Sequence, residues 1–363
     1  MKQIDIVVGA RPNFIKAFPV YDALEKTNHF DLRLINTGQH YDENMADVFF
    51  HQLKMKQPDI NLMVGSGTHA EQTAKIMMKI EKVFFDNKPD LVMVFGDINS
   101  TIAAALAASK LHITVAHVEA GLRSFDRTMP EEINRVLTDQ ISDLLFITSP
   151  EAKDNLLKEG KNENEIIFVG NTMIDSLVRF EQLFDGQAFL DRFDTQLQDY
   201  ILVTIHRPSN LDNPRKFHEL IDALNRISEK YSIIWPVHPR TKKVISENNI
   251  ELNTNVYATD PLGYLEFMGL QKKAKIIITD SGGVQEESTY FGVPCYTVRD
   301  NTERPITISQ GTNVLAGTDF VKLPIIVLDN EPLPKNETQK PHYWDGKSSE
   351  RILDYLNSHF FNN

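Results

Sequence analysis

Three carboxylates in the first half of the chain stand where chemistry would need them. Asp97 follows an apolar run in Phe95-Gly96-Asp97-Ile98-Asn99-Ser100-Thr101, and Glu119 ends another in His117-Val118-Glu119-Ala120-Gly121-Leu122-Arg123. A carboxylate at the end of an apolar strand is costly unless it is partnered or functional. Glu131 opens Met129-Pro130-Glu131-Glu132-Ile133-Asn134-Arg135, where the proline marks a helix start. With Arg123 and Arg135 nearby, this set suits acid–base work on a bound substrate. A plainer reading stands beside it: Asp97, Asn99 or Ser100 caps a helix, and Glu131 or Glu132 complements a helix dipole.

A second group suits an anion. Gly9-Ala10-Arg11-Pro12 lies between a strand and the helix that carries Lys16, so free amides and a forked cation meet at a helix N-terminus. An ordinary strand-to-helix turn fits those residues equally. In the second half, Thr279-Asp280-Ser281-Gly282-Gly283-Val284-Gln285-Glu286-Glu287 follows another strand. Amides of Ser281, Gly282 and Gly283 at a helix start cradle a phosphate, and Glu287, one turn on, suits ribose hydroxyls. His206 and His238 each follow a strand, in Ile205-His206-Arg207-Pro208 and Val237-His238-Pro239-Arg240. His238 fits a structural loop as well. GxGxxG is absent, so no dinucleotide fingerprint is present. Neither HExxH nor a cysteine cluster occurs, and no metal ligand set is expected.

The elements that must position these groups alternate. Ile4–Val8, Leu32–Asn36, Leu91–Phe95, Thr114–Val118 and Leu144–Ile147 read as buried strands, with helices such as Ile15–Lys26, Glu71–Phe85 and Ser100–Leu111 between them. That alternation predicts a parallel sheet covered on both faces. It pauses over a polar helical stretch at 171–200 and restarts with Ile201–Ile205, Ser232–Val237, Asn255–Ala258, Lys275–Thr279 and Cys295–Val298. Two doubly wound domains in tandem follow, over 1–170 and 171–345, with a terminal helix in 346–363.

At 363 residues, two domains suit the length better than one core. A net charge of -12 argues against nucleic acid as the partner. Cys295 is the one cysteine, so no intramolecular disulfide is possible. The opening MKQIDIVVGARPNFIK reads as a first strand and not a signal peptide, and no apolar stretch approaches a membrane span. A cytoplasmic protein with no membrane association is expected.

These motifs, with the Asn301-Thr302-Glu303-Arg304-Pro305 segment and the Asp345–Ile352 tail, occur in the order and at roughly the spacing of the non-hydrolysing UDP-N-acetylglucosamine 2-epimerases. The chain resembles that family over nearly its whole length. The resemblance implies two Rossmann-like domains in a glycosyltransferase-B-like fold with UDP-sugar in a cleft, no cofactor, no metal and a homodimer. It also implies anti elimination of UDP across C1–C2 to a 2-acetamidoglucal, then re-addition with inversion at C2. Carried over by motif, Asp97, Glu119, Glu131 and His206 become catalytic. Arg11, Lys16, Arg135, Phe267, Ser281, Gly282, Gly283, Glu287 and Arg304 become substrate- and UDP-binding. Phe267 is the expected neighbour of uracil.

Two departures from the family pattern bear on specificity. His206-Arg207-Pro208-Ser209-Asn210 stands where many bacterial members carry HRREN, and Tyr41-Asp42-Glu43 follows Gly38-Gln39-His40 without a basic residue. Together they predict little or no activation by a second UDP-sugar. Ser124–Met129 also suits relatives acting on UDP-2,3-diacetamido-2,3-dideoxyglucuronate, for whose extra charge Arg127 is a candidate. A glycosyltransferase and a non-catalytic UDP-sugar-binding module are the remaining alternatives. Three strand-end carboxylates fit proton transfer better than either.

Overall fold

Leu91–Phe95 reads LVMVF without a polar side chain, and all five residues are buried. Such a run is stable only inside a sheet covered on both faces. In a computed structural model, residues 1–39, 53, 55–192, 199–237, 239–247, 250–329 and 340–360 are described. The chain divides into two compact units, Met1–Arg179 with His342–Asn363, and Phe180–Pro341.

The first unit holds a seven-stranded parallel sheet. Its strands are β1 (Lys2–Val8), β2 (Phe30–Asn36), β3 (Ile60–Asn61), β4 (Leu91–Phe95), β5 (Thr114–Ala120), β6 (Leu144–Ile147) and β7 (Ile166–Phe168). The order is β3-β2-β1-β4-β5-β6-β7, so it reverses direction between β1 and β4. In an open parallel sheet that switch point is where ligands bind, beyond the carboxyl ends of the strands. The helices named below are α1 (Arg11–Glu25), α2 (His69–Asp86), α3 (Asn99–Lys110), α4 (Pro130–Ile141), α5 (Pro150–Lys158) and α6 (Thr172–Phe180).

The second unit repeats the plan with six strands: β8 (Tyr200–Thr204), β9 (Ser232–Pro236), β10 (Val256–Thr259), β11 (Ile276–Thr279), β12 (Cys295–Thr297) and β13 (Asn313–Leu315). Their order, β10-β9-β8-β11-β12-β13, reverses between β8 and β11. Helices α7 (Pro214–Ser228), α8 (Pro239–Glu247), α9 (Tyr264–Lys273) and α10 (Gly282–Phe291) belong to it. Trp235, Phe217 and Phe320 fill one face of its core, and Tyr200, Phe189 and Leu270 the other. The terminal helix is α11 (Ser348–Tyr355).

Two details differ from the sequence reading. Helix α6, expected to begin the second domain, packs with the first unit: Ser176 donates to the Ile15 carbonyl at 2.5 Å, and Arg179 pairs with Asp22 at 2.6 Å. The tail also returns to the first unit. Asp175 on α6 accepts the Ser348 and Ser349 amides at 3.0 and 2.7 Å, and Trp344 donates to the Thr148 carbonyl. In sequence the first region reads as a polar helical stretch and the second as a terminal helix, and only their partners decide which unit they join.

Candidate active site

In the first unit, Asp97 lies just past the end of β4, Glu119 is the next-to-last residue of β5, and Glu131 stands in the first turn of α4. β4 and β5 are in register at Phe95 and Val118, so Asp97 and Glu119 leave neighbouring strands at almost the same level. The Gly96 amide donates to the Val118 carbonyl at 3.1 Å and turns the chain through φ +62. Glu119 itself has φ +74, beside a register break in the β5–β6 pairing. A left-handed glutamate costs about 1–3 kcal/mol and persists where its surroundings over-determine it. Lys16 supplies part of that determination, with Nζ 2.5 Å from the Glu119 carboxylate and both side chains buried. Asn13, one turn earlier on α1, donates to the Phe95 carbonyl at 2.9 Å and holds α1 against the end of β4.

Arg135 bridges Asp97 and Glu132. Its guanidinium meets Asp97 at 2.5 Å and Glu132 at 2.8 Å. Glu132 is buried and also accepts from the Ser124 amide and hydroxyl and the Phe125 amide, all at 2.9 Å. It therefore braces the loop after β5, which leaves Glu131 as the free carboxylate of the pair. Asp97 and Glu131 line one cavity of about 290 Å³ with Gln39, His69, Asn99 and Asn134. Asn134 fixes the Asp97 turn by donating to its carbonyl at 2.9 Å. Arg11 follows β1 at the switch point, with its side chain exposed.

The second unit gathers the diphosphate candidates. Ser281 occupies the N-cap position of α10 without a side-chain capping bond, and Gly282 and Gly283 are the first residues, whose amides have no partner within the helix. A Cβ on Gly282 would stand 2.5 Å from an Arg304 nitrogen, so glycine is required for that guanidinium to lie against the helix start. Arg304 is itself bracketed by Glu286 at 3.0 Å and by Glu303. Glu287 is buried and accepts from Gln271 at 2.6 Å. Phe267 is half-buried on α9 against the cluster that contains Phe189 and Tyr200. His206 is half-exposed after β8, its Nδ1 3.2 Å from Asp280.

Asp280 was not singled out in the sequence, yet its carboxylate organises the turn after β8. It accepts the His206 and Arg207 amides at 3.1 and 2.8 Å and the Asn210 side chain at 3.0 Å. Its position directly before Ser281 was the available signal. Pro208, one of the departures from the family pattern, opens the short helix Pro208–Leu211. His40, Tyr41, Asp42 and His238 lie outside the described residues.

Two doubly wound parallel sheets, with buried and cavity-lining carboxylates at one switch point and a glycine-opened helix at the other, define a nucleotide-sugar enzyme of the glycosyltransferase-B-like class. A likeness to the calicheamicin glycosyltransferase CalG4 supports that fold, at a TM-score of 0.58 and 12% identity over 99% of both chains. The UDP-N-acetylglucosamine 2-epimerase family model matches residues 22–357. The chain is 47% identical to the UDP-N-acetylglucosamine 2-epimerase of Methanocaldococcus jannaschii, over 98% of each protein. It is 42% identical to the UDP-2,3-diacetamido-2,3-dideoxy-D-glucuronate 2-epimerase of Pseudomonas aeruginosa, over 96% of this chain and 98% of that one. A crystal structure of the M. jannaschii enzyme in complex with UDP-GlcNAc and UDP superposes with a TM-score of 0.87 at 46% identity, over 98% of this chain and 99% of that one. The chain belongs to the UDP-N-acetylglucosamine 2-epimerase family and is a sugar-nucleotide epimerase.

Proposed function

We propose that the protein interconverts UDP-N-acetylglucosamine and UDP-N-acetylmannosamine by eliminating UDP across C1–C2 and adding it back to the opposite face of a 2-acetamidoglucal. The observation that carries this reading is the pairing of Asp97 and Glu119 at neighbouring strand ends, each held by a buried cation, Arg135 and Lys16 respectively. The C2 proton is weakly acidic, so C1–O cleavage must run ahead and build positive charge at C1. Carboxylates clustered there stabilise that charge while one of them takes the proton. Glu131 shares a cavity with Asp97 and is the third candidate for proton transfer. Ser281, Gly282, Gly283 and Arg304 would hold the departing diphosphate, Glu287 the ribose, Phe267 the uracil, and Arg11 and His206 the phosphates during transfer.

Turnover in heavy water tests the reading. UDP-N-acetylglucosamine should yield its manno epimer with deuterium at C2, read by mass spectrometry. An epimer without deuterium at C2 removes the elimination route. The second reading, epimerisation of the diacetamido glucuronate, rests on the Pseudomonas relative and on exposed Arg127 in the loop that Glu132 braces. A panel of both sugar nucleotides separates them.

A homodimer in the cytoplasm belongs to the same proposal. Met78 and Phe85 on α2, with Ile133 and Leu137 on α4, expose large apolar side chains that a second copy would cover. Light scattering reads that state directly. Among the described residues, no helix is long and apolar enough to cross a membrane.

A further inference from the structure

Glu119 is flanked on both sides by groups tied to one buried carboxylate. Asp139, on α4, has no solvent exposure. One of its oxygens lies 2.6 Å from His117 Nδ1; the other accepts the Gly121 amide at 3.1 Å and meets the Arg123 guanidinium at 2.7 Å. The residues two before and two after Glu119 are thereby fastened to a single point on a neighbouring helix. The far nitrogen of His117 is 2.8 Å from the carbonyl of Gly96, the residue before Asp97. Each ring nitrogen of His117 thus faces an oxygen, one on α4 and one at the end of β4.

Arg123 carries the chain of charges outward to Glu159, which it grips with two nitrogens at 2.8 and 2.5 Å. Burial pushes the Asp139 carboxyl up, but His117 and Arg123 more than offset it and hold it below its ordinary value. The group is therefore an ionised acceptor for all three partners. None of these residues lines the cavity that Asp97 and Glu131 share.

We infer that Asp139 is the positioning residue for proton transfer, setting the spacing of Asp97 and Glu119 through His117 and the Gly121 amide. The inference rests on the proposed acid–base roles of those two carboxylates. Near-attack geometry tolerates little error, and a misplacement of about 1 Å costs on the order of 100-fold in rate. A group that acts only through the spacing of these two carboxylates has nothing left to contribute once either of them cannot react.

The test is a double-variant cycle on the full-length enzyme, with UDP-sugar turnover and UDP affinity measured separately. Asp139→Asn keeps the shape and removes the charge; kcat should fall about 10- to 100-fold while KM and UDP affinity stay within about twofold. Combined with Glu119→Gln, it should lower kcat no further than Glu119→Gln alone. Multiplying losses, an unchanged kcat, or equal loss of kcat and UDP affinity overturns the inference. If Asp139→Asn does not fold, His117→Gln serves in its place, paired with Asp97→Asn under the same criteria. A wild-type enzyme inactive on every UDP-sugar tried sinks the proposed function instead, so the two failures are distinct.

Discussion

Lys16 Nζ stands 2.5 Å from the carboxylate of Glu119, with 8% and 3% of their side chains exposed. A buried pair of this kind contributes little over apolar neighbours, but losing one member strands a charge. Here the pair has a second use, because the cation fixes the direction of a strand-end carboxylate whose backbone is in the left-handed region.

Lys16→Met leaves Glu119 buried without its cation and should cost about 3–5 kcal/mol of unfolding free energy. The double variant Lys16→Met/Glu119→Gln should recover much of that loss. Chemical denaturation of the three proteins reads it. Equal stability of the single and double variants would show that the pair does not govern the fold of this strand end.

Glu119→Gln and Asp97→Asn should each lower turnover at least about 100-fold, the lower range for a lost general acid or base. UDP affinity should stay near that of the parent, since Ser281, Gly282, Gly283 and Arg304, most of the diphosphate candidates, lie in the other unit. Steady-state kinetics with calorimetric titration of UDP decides. Lost UDP binding with spared turnover would reverse the assignment of tasks to units.

Gly282→Ala puts a methyl group 2.5 Å from an Arg304 nitrogen and 2.6 Å from a Glu303 oxygen. The guanidinium must move off the start of α10. UDP should then bind about tenfold more weakly, the loss of roughly one charge-assisted hydrogen bond. Serine in place of Gly282 should do the same. Calorimetric titration returning the parent affinity for both variants removes Arg304 from the diphosphate site.

Asp175 should give the enzyme a pH-dependent stability. Burial raises its pKa above the ordinary carboxylate value near 4, against the lowering pull of the Ser349 and Ser348 hydrogen bonds. The folded state then holds the proton more tightly than the unfolded one. Stability from this group is full below about pH 4 and declines as pH rises through the folded-state pKa. Asp175→Asn cannot ionise, so its melting temperature should vary less with pH than the parent's between about pH 4 and 7. Parallel curves in scanning calorimetry would leave Asp175 without that role.

Much of this protein is written locally. Apolar runs such as LVMVF at Leu91–Phe95, followed by Gly96, declare buried parallel strands and mark where their carboxyl ends fall. Because ligands bind at those ends, Asp97, Glu119 and Ser281 could be located from spacing alone, and the ordered motifs named the family. Glu131 and Glu132 could not be told apart in that way. Adjacent carboxylates at a helix start look alike until one is buried against the Ser124–Phe125 loop and the other lines the cavity.

What the tertiary structure decided is which distant groups share a point. Nothing in sequence spacing joins Lys16 to Glu119, Arg304 to Gly282, or Asp175 to the amides that open α11. The same holds for α6 and the tail, whose amphipathic pattern shows that one face is buried but not what covers it. Asp139 belongs with them: a mid-helix aspartate in sequence, it becomes the common anchor of His117, Gly121 and Arg123 in the fold. Periodicity is a property of neighbours along the chain, whereas an ion pair withdrawn from water forms only where packing brings remote charges together.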